Sequence, residues 1–163
     1  MSGLPLPHAN RGREFQQELA QTHDFYERVG LASVHYVHVP MVYSHSRHAV
    51  VWTQRTPCDY MGYLAGGRAI LIEAKSLSDQ NRKHWKPDRP HQLEAITKAG
   101  KAGACAFFLI RRGIEDVRLW IPGDSDGSSG IALDELPGIR RTWGECIWDW
   151  LSALDRLGVL HAL

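Results

Sequence analysis

One uninterrupted apolar segment limits the folds open to this 163-residue chain more than any other feature. Residues 104–110 are all apolar and contain neither glycine nor proline. A strand of this kind is buried on both faces, so layers of structure must cover the sheet on either side. The composition, 44% hydrophobic and 23% charged, is ordinary for a globular protein, and the length suggests one domain.

The segments around this strand show helical and extended patterns in turn. Residues 11–29 carry apolar side chains at three- and four-residue spacing, which predicts a helix capped by Asn10 and ended by Gly30. Further strands are expected at 31–42, 49–53, 58–64, 68–76 and 117–121, and further helices at 91–100 and 143–157. This order predicts an α/β or α+β fold, in which helices flank a central mixed sheet in a single domain, residues 1–163.

The distribution of charge says more than the net charge of +1. Residues 75–101 contain seven basic and three acidic residues, whereas residues 115–163 contain four basic and nine acidic ones. The middle of the chain is therefore suited to a polyanion, although two ordinary solvated faces explain the asymmetry equally well. The three cysteines form no CxxC pair, and residues 1–10 do not resemble a signal peptide, so a cytoplasmic setting is expected.

The strand predicted at 68–76 places two charges beside a core-forming run. Glu73 and Lys75 lie two residues apart, so both side chains project from one face, while Ile70 and Ile72 take the other. Charge next to an apolar face is costly, which favours either a functional site or an ion pair there. A surface strand with an incidental Glu-x-Lys pair is the alternative, and it is common.

Asp59 belongs to the strand before, and the turn between the two strands decides where its side chain points. A two-residue loop at Gly66 and Gly67 would place Tyr60 opposite Glu73, whereas a three-residue loop, residues 65–67, would place Asp59 there. Three-residue loops commonly need a positive φ, which glycine adopts readily. We therefore predict an odd-length loop, or a bulge that turns Asp59 towards Glu73.

Two carboxylates and one lysine in this arrangement suit phosphodiester hydrolysis. Mg²⁺ is commonly bound through one or two carboxylates and keeps several waters, so Asp59 and Glu73 are predicted metal ligands. Lys75 would lie near the metal and the phosphate, where it can orient the attacking water, help to deprotonate it, or stabilise developing negative charge.

Taken in order, the motifs resemble those of PD-(D/E)xK nucleases and, within them, of RecU-like Holliday junction resolvases. The resemblance extends from Asn10 to about Ile110 and so covers most of the chain. Its separate motifs are Asn10-Arg11-Gly12, Gly30-Leu31-Ala32, Thr56 with Asp59-Tyr60 and Gly62, Glu73-Ala74-Lys75, and His91-Gln92.

The resemblance implies a restriction-endonuclease-like core and a metal-dependent endonuclease that resolves four-way junctions by paired symmetric nicks. It also implies a homodimer, with Mg²⁺ as the cofactor and Mn²⁺ as a substitute. The implied catalytic residues are Asp59, Glu73, Lys75, Gln92 and Glu14. The residues expected to contact DNA are Arg11, Arg13, Arg47, Arg82, Lys83, Lys86 and Arg89.

Two departures from the family pattern stand out. The family usually has a glutamate in the first helix where this chain has Gln16, so Glu14 or Glu18 is the candidate to replace it. RecU proteins also carry a protruding stalk, and here residues 41–55 are expected to form a short loop in its place, as would suit a phage or thermophile resolvase. Another nuclease of the same superfamily, or a junction-binding module without catalysis, remains an alternative.

Overall fold

The computed structural model describes residues 8–52, 54–123 and 127–161, without the side chains of residues 8–11 and Trp52. Its helices are α1 (His8–Arg28), α2 (Pro90–Lys101) and α3 (Trp150–Arg156). Its strands are β1 (Ala32–Tyr36), β2 (Met41–Ser44), β3 (Ala49–Trp52), β4 (Tyr60–Leu64), β5 (Ala69–Leu77), β6 (His84–Trp85), β7 (Cys105–Arg112), β8 (Asp116–Trp120), β9 (Ile131–Ala132) and β10 (Gly138–Ile139).

Six strands form a mixed sheet in the order β1-β4-β5-β7-β8-β10. Only β5 and β7 among these neighbours run parallel, and the others pair antiparallel. All eight residues of β7 are buried, as the apolar run predicts. One core lies between the sheet and α1 with α3, and a second lies between the sheet and α2. The predicted mixed sheet flanked by helices is thus confirmed.

Residues 41–55 differ from the expected short loop. Strands β2 and β3 pair antiparallel over residues 41–52 as a separate two-stranded sheet. The β-branched and aromatic residues at 42, 43, 50 and 51 favour extended structure, which explains why the segment pairs with itself. The predicted strand 31–42 is also wrong in extent, because β1 ends at Tyr36 and Pro40 cannot donate to a continuing ladder.

The ends of two helices also differ from the predictions. Helix α1 begins at His8, so Asn10 lies inside it and is not its cap. Helix α3 covers only the second half of the predicted 143–157 segment. The reason is tertiary: the backbone N–H of Trp148 donates to the Thr22 hydroxyl at 3.0 Å, and the Asp149 side chain caps the helix at Ser152.

Candidate active site

The β4–β5 hairpin has the predicted odd-length loop. Leu64 N–H donates to the Arg68 carbonyl at 2.8 Å, which leaves residues 65–67 as a three-residue turn. Gly66 and Gly67 both adopt positive φ, 96° and 90°, as this turn requires. Tyr60 consequently pairs with Ile72, and the register brings Asp59 alongside Glu73.

A backbone contact fixes the carboxylate of Asp59 against β5. Its Oδ2 accepts a hydrogen bond from the Ala74 N–H at 3.0 Å. Its own N–H donates to the Ile72 carbonyl at 3.1 Å, and its carbonyl accepts from Val37 N–H at 2.8 Å. Asp59 is therefore held between β1 and β5, with its side chain directed to the segment that carries Glu73 and Lys75.

Lys75 connects Glu73 to α2. Its Nζ lies 2.9 Å from Oε1 of Glu73 and donates to Oε1 of Gln92 at 2.9 Å. Glu73 and Gln92 are almost wholly buried, with 1% and 2% of their surfaces exposed. Gln92 lies in the first turn of α2, so that helix delivers the amide to the face of β5 that bears Glu73 and Lys75. The sheet and α2 thus bring four of the five predicted catalytic residues together.

Burial makes the charged forms of the two carboxyl groups costly. It raises the pKa of Glu73 to about 7, the charge of Asp59 adds to this effect, and the ammonium of Lys75 opposes it. Burial also raises the pKa of Asp59, against the hydrogen bond from Ala74 and the positive charge of Lys75. In addition, Oε2 of Glu73 is buried and accepts no hydrogen bond from the described residues. A cation between the carboxylates would relieve both conditions.

An open cavity of about 820 Å³ gives access to Asp59 and Gln92. Its wall includes two exposed cations, Arg55 from the segment before β4 and Arg89 immediately before α2. Asp88 also lies on this wall, and its carboxylate is 3.5 Å from Lys75 Nζ. Neither Arg55 nor Asp88 was predicted as a site residue, because their proximity to the site depends on how two loops fold against β5.

Glu14, the fifth predicted catalytic residue, lies elsewhere in the described structure. Its carboxylate is 3.4 Å from the guanidinium of Arg111, which alternation along β7 assigns to the α1 face of the sheet. Glu18 is buried and pairs with Arg111 and Arg141, and it also accepts a hydrogen bond from Trp148. Glu14 and Glu18 are thus paired with arginines and are not part of the Asp59–Glu73 site.

The predicted DNA-contacting residues are spread over one helix and several loops. Arg13 is exposed on α1, and Arg47 lies in the β2–β3 turn. Arg82, Lys83, Lys86 and Arg89 are exposed between β5 and α2, and only Arg89 of these lines the cavity. The side chain of Arg11 lies outside the described residues.

The model of the family described as Recombination protein U, RecU, matches residues 10–120 of this chain. The chain belongs to the RecU family. RecU proteins are Holliday junction resolvases, and the predicted enzyme class is confirmed. The matched segment contains all five predicted catalytic residues together with the Gly62 position of the aspartate motif.

The chain is also similar to a solved structure of a resolvase. A solved structure of Archaeoglobus fulgidus Hjc, a Holliday junction resolvase from an archaeal hyperthermophile, is similar to this chain with a TM-score of 0.44 and 19% identity. The similarity covers 78% of this chain and 92% of that one. The comparison with curated proteins finds no match.

Two features are absent from the described residues of this RecU chain. Across residues 8–52, 54–123 and 127–161, no group of three or more histidine, cysteine, aspartate or glutamate side chains is arranged to bind a metal ion. No helix in the same residues is long and apolar enough to cross a membrane.

Proposed function

We propose that this RecU-family resolvase cleaves the phosphodiesters of four-way junctions at the cluster formed by Asp59, Glu73 and Lys75, with Mg²⁺ as its cofactor. The observation that carries the proposal is a buried carboxylate, Glu73, with the half-buried Asp59 and a lysine beside it, next to a cavity whose wall carries Arg55 and Arg89. Mn²⁺, which accepts the same oxygen ligands, is expected to substitute.

The donor set fits a hard divalent cation. Asp59 and Glu73 provide carboxylate oxygens, and the Oε2 of Glu73 has no competing donor among the described residues. When bound, the ion would polarise the scissile phosphate and lower the pKa of a bound water. The protein contributes the fixed positions of both carboxylates, which the Ala74 N–H and the Lys75 ammonium hold.

Lys75 and Gln92 prepare the site for the phosphate. Gln92 and Glu73 hold the Lys75 ammonium from two sides, so little side-chain freedom remains to be lost when substrate binds. The ammonium can then stabilise negative charge on the phosphate or orient the attacking water. Asp88, two-thirds exposed and 3.5 Å from the same ammonium, is the partner that a phosphate can replace most easily.

A homodimer provides the two active sites that paired nicking requires, and its two-fold symmetry matches that of a four-way junction. Recognition rests on junction shape and on phosphate contacts from the exposed basic residues, rather than on base sequence. The enzyme would act in the cytoplasm, where its DNA substrate lies.

Removal of the Arg89 charge is expected to weaken junction binding and to reduce its dependence on salt. One lost phosphate contact lowers the slope of log K against log salt concentration by about 1. The measurement is a titration of labelled junction at several salt concentrations with Arg89→Ala. Arg156→Ala removes an equal charge from α3, at the opposite face, and should keep the wild-type slope. Equal slopes for the wild type and both variants would show that Arg89 does not contact DNA.

Metal binding should depend on pH through the protonation of Glu73. The pKa of Glu73 is about 7 in the folded protein against 4.5 ordinarily. Between these two pH values the folded state therefore binds more protons than the unfolded state. Without metal, the free energy of unfolding should fall as pH rises from about 4.5 to 7. Metal must displace that proton, so its affinity should rise up to about tenfold per pH unit below 7.

The measurement is the increase in Tm that Mg²⁺ produces at pH 6 and at pH 8. We expect a clearly larger increase at pH 8, and little increase at either pH for Glu73→Gln. An increase that is the same at both pH values in the wild type would contradict a metal site built on this carboxyl.

A comparison of two substrates tests the function itself. Cleavage in Mg²⁺ is measured on a four-way junction and on linear duplexes with the sequences of its arms. The proposal requires a strong preference for the junction. Equal rates would instead assign the chain to another PD-(D/E)xK activity on duplex DNA, and junction binding without cleavage would indicate a binding module.

A further inference from the structure

An aromatic ring lies on the wall of the active-site cavity, where hydrolysis of a phosphodiester does not require one. Tyr36 ends β1 and is 42% exposed, and it lines the same cavity as Asp59, Arg55 and Arg89. We propose that the Tyr36 ring is a stacking platform for an unpaired or unstacked nucleobase next to the scissile phosphate. This inference rests on the proposed nuclease function and deepens it by naming a determinant of substrate structure.

The backbone places Tyr36 directly beside the catalytic strand. Tyr36 pairs with Tyr60, the residue after Asp59. The next residue, Val37, donates its N–H to the Asp59 carbonyl at 2.8 Å. The ring is therefore fixed relative to the carboxylate by strand pairing rather than by a loop.

Two neighbouring rings contact Tyr36 nearly at right angles and leave 42% of the residue exposed. Its centroid lies 5.6 Å from that of Tyr60 and 5.2 Å from that of His38, and both pairs are close to perpendicular, at 75° and 78°. Neither neighbour is stacked parallel on the Tyr36 ring, as the two perpendicular angles show. A large aromatic side chain that is braced in this way and still exposed in a cavity is suited to bind a second flat ring.

The composition of the cavity points to a nucleotide rather than to a phosphate alone. Arg55 and Arg89 provide positive charge for the backbone, and Tyr36 with Val39 provides an apolar wall. The volume of about 820 Å³ is far more than one phosphodiester fills. In an intact duplex both faces of each base are stacked, so a base at the branch point of a junction reaches such a wall at lower cost.

A cycle of four cleavage reactions tests the platform. Wild type and Tyr36→Ala are each given an intact junction and a junction that lacks the base on one side of the scissile phosphate. The cycle is then repeated with the base on the other side removed. Stacking of one base on an aromatic ring is worth about tenfold or more, so Tyr36→Ala should slow cleavage of the intact junction by about that factor. On one of the abasic junctions the two proteins should cleave at the same rate.

Two variants separate stacking from folding. Tyr36→Phe keeps the ring and should retain wild-type rates. Tyr63→Ala removes an exposed tyrosine at the other end of β4, beside the turn, and should leave cleavage of every junction unchanged. A 5-iodouracil at the sensitive position should also form a photochemical cross-link to Tyr36, which mass spectrometry of the conjugate would locate.

Either of two results would overturn the platform: Tyr36→Ala cleaves the intact junction at the wild-type rate, or it slows intact and abasic junctions by the same factor. These outcomes differ from a failure of the proposed function, because the latter appears already as absent cleavage by the wild-type protein.

Discussion

Glu73→Gln is expected to lose cleavage of a four-way junction by a factor of about 10³ or more, because a metal held by the carboxylate pair contributes several kcal/mol to the transition state. The amide is similar in size and keeps an oxygen near Lys75, so the fold should remain intact. Junction affinity measured without metal should change by less than about threefold, since phosphate contacts come from other residues. Asp59→Asn should behave in the same way.

The appropriate control is Glu94→Gln, which makes the same chemical change on the exposed side of α2, two residues from Gln92. It should cleave like the wild type. If Glu73→Gln weakened binding and cleavage in equal measure, the carboxylates would be structural, and the proposed site would be wrong.

The largest effect on stability is expected at Gly62, which belongs to the aspartate motif. A Cβ at this position would overlap the Ser33 carbonyl oxygen and lie 2.8 Å from the Val34 Cα. Because both obstacles are backbone atoms of the paired strand, no side-chain rotation relieves them. Gly62→Ala should therefore lower the free energy of unfolding by about 3 kcal/mol or more, at the high end for overpacking.

Denaturant unfolding followed by circular dichroism measures this effect, with Gly100→Ala as the control. Gly100 lies in α2, and a Cβ added there would meet no atom within 4 Å apart from the adjacent backbone of its own helix, so alanine should leave stability unchanged or raise it slightly. A Gly62→Ala protein as stable as the wild type would show that β1 and β4 are not held as closely as the structure indicates.

The centre of the site could be predicted because its geometry is local. Glu73 and Lys75 share a face through the two-residue period of a strand, and Gly66 with Gly67 makes a three-residue turn inexpensive. The register of one hairpin then follows, and it carries Asp59 to Glu73. Each step depends on residues fewer than twenty positions apart.

The remainder depends on contacts between distant segments. The role of Arg111 as the partner of Glu14 and Glu18 follows from how α1 packs across the sheet, which no spacing within α1 reveals. The late start of α3, at Trp150, depends on the same kind of contact, between Trp148 and Thr22. The sequence pattern predicts Tyr36 only as a strand residue. Its position on the cavity wall depends on the pairing of β1 with β4.

One cleavage experiment decides whether this chain is a metal-dependent junction resolvase. A synthetic four-way junction is labelled on each of its four strands in turn and incubated with the wild-type protein, with and without Mg²⁺, beside the Glu73→Gln variant. We expect nicks at symmetric positions in two opposing strands, products that a DNA ligase can seal, and no cleavage without metal or with the variant. Wild-type protein that binds the junction but leaves all four strands intact in both Mg²⁺ and Mn²⁺ would contradict this expectation.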